Sequence, residues 1–274
     1  MNRSTYIGNS AEIEFVKLFN KKKTDKKYEF YLVRCNVTNV KDCYMVRVSS
    51  QQYSKLSKRV VMTRADTFLI YSTDKMINGI LIENDFYLDE DILTNNKIKY
   101  ESIVKSGISI KMTDSDSFQI IKLTPDSFNA IFGEYELGAG ASVFCLRQNE
   151  ISKNTAVFAG WKTSKKAIIK KYCNELPELI LLNDDIDVSL EMGIYQKLKT
   201  FSNNKIKSMI DGNKRIQEII FNGYYIYEEP YSATYFYKGN EIEKLDYIPF
   251  VVTTGSGRSH GDFTIVLKPQ LNTI

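Results

Sequence analysis

Residues 60–71 read VVMTRADTFLIY, and the carboxylate set inside that apolar run is the feature on which the fold turns. Branched and aromatic residues at both ends predict a strand or a pair of strands, with Arg64 and Asp66 at the centre. A charge held among apolar residues needs a partner or a cation, because burying it unpaired is costly. The alternative for Asp66 is a solvated place in a turn between two strands. Farther along, residues 107–122 read GISIKMTDSDSFQIIK. An alternating strand, a polar turn at 114–117 and a second strand together predict a hairpin. Side chains two apart on a strand share a face, so Ser109 and Lys111 point the same way and would converge on Asp66.

Around these strands the pattern mixes helix and strand, which predicts an α/β protein. Residues 8–22 place Ala11, Phe15, Leu18 and Phe19 on one apolar stripe, and Asn9 or Ser10 would cap that helix. Residues 28–37 and 43–48 are rich in aromatic and branched side chains and read as strands. Thr124 and Pro125 open a short helix, PDSFNAIF. The run ELGAGASVFCL at 136–146 suits either a close helix contact or a backbone approach to a ligand. Residues 162–223 are mostly helical, broken at Pro177 and Gly212, and the last fifty residues turn tyrosine-rich and β-prone.

Composition narrows the function classes. Of 274 residues, 43% are hydrophobic and 26% charged, the usage of a globular chain rather than a disordered one. No window reaches the roughly 18 apolar residues of a membrane span, and the N-terminus lacks an apolar leader, so a soluble intracellular protein is expected. One histidine, His260, and four cysteines without a CxxC pair exclude most zinc sites, and reduced thiols are expected. The net charge of +4 permits a polyanionic partner. Lys17, Lys21, Lys22, Lys23, Lys26 and Lys27 form one cationic cluster, and Lys162, Lys165, Lys166, Lys170 and Lys171 another. Either one also fits a solvated helix face.

Metal-assisted hydrolysis of a phosphodiester needs carboxylates to hold a divalent ion and a cation to orient water or offset the developing charge. Glu12 in GNSAE, Asp66 in TRADTFLI and Ser109-Ile110-Lys111 in SGISIKMTDSDSFQI supply such groups, on a helix and then on two strands. In that order the segment at about 8–150 resembles the PD-(D/E)XK nucleases. The family pattern is an acid-bearing first helix, an Asp on one strand, and acid-x-Lys on its neighbour. Ser109 departs from it by standing where an acid is usual, which leaves a metal one carboxylate short. Glu12 is the candidate for the missing charge and Glu101 the second, although Glu12 also fits a capping box with Asn9. Gln119 is similar to polar residues found just past the lysine in some relatives.

The resemblance implies a restriction-endonuclease-like core, a central mixed sheet flanked by helices, over residues 1–150. Residues 151–274 would then form a helical and β part for DNA recognition and dimerisation. It further implies a type II restriction endonuclease that cuts double-stranded DNA with Mg²⁺. Asp66, Glu12, Ser109 and Lys111 would be catalytic, with Asp66 and Glu12 holding the metal. A homodimer matches two-fold DNA symmetry, and a cognate DNA methyltransferase in a prokaryotic cytoplasm would complete the system. The loop TTGSGRSHG at 253–261 is chemically suited to DNA, with Thr254, Ser256, Gly257 and Ser259 toward phosphates and Arg258 toward a guanine edge. It also fits a plain hairpin loop. A non-catalytic nucleic-acid-binding protein is the alternative from another class, and an interaction protein without nucleic acid is the third.

Overall fold

The computed structural model describes residues 3–48, 51–56, 58–111, 118–145, 148–238, 241–254 and 263–270. The chain opens with helices α1 (Arg3–Lys22) and α2 (Lys26–Arg34), then strands β1 (Cys43–Arg47), β2 (Gln51–Ser54), β3 (Arg59–Met62) and β4 (Thr67–Tyr71). Next come α3 (Ile77–Glu83), α4 (Glu90–Asn95), β5 (Glu101–Ser102), β6 (Ile108–Ile110) and β7 (Ile121–Leu123). Six helices follow: α5 (Pro125–Phe132), α6 (Tyr135–Ser142), α7 (Asn154–Gly160), α8 (Lys165–Tyr172), α9 (Val188–Asp211) and α10 (Lys214–Gln217). Strands β8 (Tyr235–Lys238), β9 (Glu241–Lys244), β10 (Phe250–Thr254) and β11 (Ile265–Pro269) close the chain.

These elements form two compact units, one of Met1–Asp116 with Glu218–Tyr247, the other of Ser117–Gln217 with Ile248–Ile274. The first is α/β. Its sheet runs β1-β4-β6-β8-β9, with β5 also on β4. The sheet is mixed, because β6 and β8 are parallel whereas the other pairs are antiparallel. Helices flank it: Phe15 and Phe19 of α1, Tyr28 and Tyr31 of α2, and Leu81 of α3 share one buried cluster with Met45, Leu69, Ile108 and Tyr235 of the strands. Each such side chain contributes about 1.5–3 kcal/mol by leaving water.

Three elements differ from the sequence expectation. Helix α1 starts at Arg3, so Asn9 and Ser10 lie inside it. Residues 26–34 form α2 rather than a strand, because Tyr28, Tyr31 and Leu32 bury at helical spacing, which outweighs the aromatic β preference. The 107–122 segment is not a hairpin: β6 pairs with β4 and β8, whereas β7 pairs with β11 in the second unit. Strand partners far along the chain override a local turn signal. Strands β3 and β4 match the expectation of two strands within residues 60–71, although they pair with β2 and β1 rather than with each other.

In the second unit β10-β11-β7 make an antiparallel sheet. The glycine–alanine run is a helix–helix contact: α6 packs on α9, and a Cβ on Gly138 would lie 2.0 Å from the Trp161 ring, one on Gly140 2.3 Å from Ser202 Oγ. Helix α5 begins as expected, the Thr124 hydroxyl accepting from Ser127 N at 3.4 Å. All four cysteines are free, and Cys35, Cys43 and Cys145 are buried. Exposed Gly193 inside α9 has nothing within 4 Å of an added Cβ. Gly193→Ala is therefore expected to raise stability by about 1 kcal/mol, the helix preference of alanine over glycine. A urea titration checks this, and a loss of stability would refute the open space.

Candidate active site

Asp66 stands immediately before β4, its backbone clasped from both sides. Its N–H donates to Ile108 O at 2.9 Å, and its carbonyl accepts from Val48 N at 3.0 Å. These bonds join it to β6 and to the end of β1. The carboxylate reaches β6, where Oδ2 accepts from Ile110 N at 2.6 Å and from the Ser109 hydroxyl at 3.3 Å. Ser109 is buried, and Lys111 continues the strand with its N–H on Tyr237 O at 2.9 Å. The register of β6 between β4 and β8 thus fixes where Asp66, Ser109 and Lys111 meet.

Glu12 lies in the interior of α1, nine positions past the first residue of the helix, so a capping box does not account for it. Its Oε2 pairs with Arg47 Nη2 at 3.2 Å. Arg47 ends β1, is 1% exposed, and stacks on the Tyr87 ring, whose hydroxyl it also bonds at 2.8 Å. Arg64 is tied to the π-helical turn at Glu218–Asn222 through Ile220 O.

The charges act on one another. Burial pushes the Asp66 carboxyl above its ordinary 3.8, opposed by the Lys111 charge, the Ile110 and Ser109 bonds and Arg64. Burial also raises Glu12, and Asp66 raises it further, against Arg47 and Lys111. Lys111 is lowered by burial, with Asp66 and Glu12 opposing and Arg64 reinforcing the shift. Glu12, Asp66 and Lys111 are therefore one cluster, compensated by two arginines.

Sequence reasoning missed Arg47 and left Arg64 without a role. The signal for Arg47 was present, since it is a cation ending the otherwise apolar strand CYMVR. Glu101 is exposed on β5 opposite Tyr71, at the far end of β4, about 16 Å from Asp66 at the usual rise of ~3.3 Å per residue. Gln119 is exposed ahead of β7 in the second unit, and Thr254 is the half-buried last residue of β10. Ser256, Gly257, Arg258, Ser259 and His260 lie outside the described residues. Several cluster lysines have local partners: Lys17 pairs with Asp85, Lys162 with Asp126, and Lys171 with Glu134 and Glu136.

Among the described residues no group of three or more His, Cys, Asp or Glu is placed to hold a metal. The donor set is two carboxylates, each held by protein donors through one oxygen. That suits a hard divalent cation such as Mg²⁺, which keeps several waters and takes one or two carboxylates alongside phosphate oxygens. No family model matches the chain, and no curated protein matches it. Among the described residues no helix is long and apolar enough to cross a membrane.

Proposed function

We propose that this protein is a Mg²⁺-dependent endonuclease of double-stranded DNA, a type II restriction enzyme with a Ser-x-Lys variant of the PD-(D/E)XK site. The observation that carries the reading is Asp66 held by Ser109 and Ile110 of β6 beside Lys111, with Glu12 of α1 near enough to feel the charges of Asp66 and Lys111. A mixed sheet flanked by helices is compatible with that family's core.

In this reading Asp66 and Glu12 would hold the ion. Bound magnesium supplies positive charge to the phosphate and a more acidic water. The Ser109 hydroxyl and Ile110 N–H fix the Asp66 carboxylate without adding charge. Lys111 orients the attacking water and offsets the charge that develops on the phosphate. The 253–261 loop, with Arg258, would read the sequence, and a homodimer would cut both strands.

Digestion of a sequenced plasmid tests this. Mg²⁺-dependent bands of defined size, abolished by EDTA, support it. A salt-dependent gel shift without cleavage would favour a nucleic-acid binder, and no shift at low salt would exclude both. Glu12→Gln should raise the Mg²⁺ concentration for half-maximal rate about tenfold or more. An unchanged requirement would remove Glu12 from the metal set.

A further inference from the structure

We propose that Arg47 is a positioning residue for the metal site, a fixed cation that holds Glu12 by one oxygen so that its carboxylate is preset for a divalent ion. The inference rests on the reading of Glu12 as an ion ligand. It stands on how the guanidinium is held.

Arg47 is locked first through its backbone. On one side it pairs with Thr67, the neighbour of Asp66. On the other, Arg47 N donates to Phe86 O at 2.7 Å, and Leu88 N donates to Arg47 O at 3.1 Å. The side chain is then anchored without help from Glu12. Its Nη2 bonds the Tyr87 hydroxyl at 2.8 Å, Nη1 reaches Asp85 O at 3.4 Å, and the guanidinium lies 3.9 Å from the Tyr87 ring centroid. At 1% exposure it has no room to swing.

Glu12 is in the opposite situation. Its side chain is 27% exposed on a helix surface, with three torsions to settle. The bond from Arg47 Nη2 to Oε2 at 3.2 Å joins the loose partner to the rigid one. A planar guanidinium that is already packed and stacked directs a carboxylate better than a lysine ammonium would.

A merely charge-balancing Arg47 predicts the opposite sign from a positioning one. Removing a positive charge beside a cation site should tighten ion binding by simple repulsion, whereas removing a support should loosen it. Outer partners of metal ligands typically matter by about 10–100-fold in affinity.

The test is Mn²⁺ binding by calorimetry on the full chain without DNA, beside urea melts. Arg47→Met is expected to bind Mn²⁺ about 10–100-fold more weakly than wild type, and Arg47→Lys to recover part of that loss. Tyr87→Phe, which touches neither carboxylate, should lose a few-fold through the freed guanidinium. If Arg47→Met does not fold, Arg47→Lys and Tyr87→Phe decide, and wild-type affinity in both would overturn the proposal. So would unchanged or tighter binding by Arg47→Met. Loss of binding in Asp66→Asn and Glu12→Gln, with the Arg47 variants unaffected, leaves the nuclease reading standing and removes only the positioning role. A wild-type chain that binds no Mn²⁺ overturns both.

Discussion

Asp66→Asn is expected to fold as stably as the wild type or more so, while Mg²⁺-dependent cleavage falls at least about a hundredfold. The asparagine oxygen can accept the same Ile110 N–H and Ser109 hydroxyl that Asp66 Oδ2 accepts at 2.6 and 3.3 Å. What it lacks is charge. Burial raises the Asp66 carboxyl above its ordinary value even with Lys111 and Arg64 opposing, so the ionised form weakens the fold. A raised folded-state pKa means that stability is lost as pH rises through it. The advantage of Asp66→Asn should therefore be absent below about pH 4 and grow above it. Lys111→Met should abolish cleavage equally, and because burial lowers Lys111 below its ordinary value even against Asp66 and Glu12, loss of its charge should not by itself weaken the fold. Single-turnover cleavage and urea melts at two pH values measure both quantities. An Asp66→Asn protein that cleaves within tenfold of wild type, or melts far earlier, would place Asp66 in the fold rather than the chemistry.

That separation of fold from chemistry also marks what the sequence could convey. Asp66 was legible because a carboxylate among Val, Phe, Leu and Ile violates local patterning, and such violations collect at functional sites. Helix α1 was legible through Ala11, Phe15, Leu18 and Phe19, whose i, i+4, i+7, i+8 spacing suits only the helical period. Helix α2 was not, because its aromatics satisfy both a β-rich composition and a helical stripe, and only burial against the sheet decides. The partners of β6 and β7 were invisible for a related reason: Tyr235 and Ile265 lie more than a hundred residues downstream, while the polar turn signal at 114–117 in the sequence is local. Arg47 fell in the same gap. A buried arginine is intelligible only with Glu12 and Tyr87, neither of which is its neighbour in sequence.

Gly107→Ala is expected to lose about 3 kcal/mol or more of stability, and cleavage with it. A Cβ at this position would lie 1.9 Å from Ser232 O, 2.9 Å from Pro230 O and 3.0 Å from the Ala65 Cβ. Two of these three are backbone atoms, which cannot rotate aside as a flexible side-chain end would. They are also held in place, since Tyr231 O accepts from Arg64 N at 3.2 Å and Ala65 N at 3.1 Å, and Gly107 O accepts from Thr234 N and Tyr235 N. The segment around Ser232 thus clips the chain before Asp66 to the chain before Ser109. Relief by moving β6 away from β8 would shift Ser109 and Lys111 relative to Asp66, and misplacement of about 1 Å suffices to cost a hundredfold in rate. Gly79→Ala in α3 is the control in the same unit, because nothing lies within 4 Å of its added Cβ. Urea melts should then show a large loss for Gly107→Ala and none for Gly79→Ala. Equal stability of the two variants would mean that the approach of β6 to the Ser232 backbone is looser than 1.9 Å requires, and that the strand register does not depend on it.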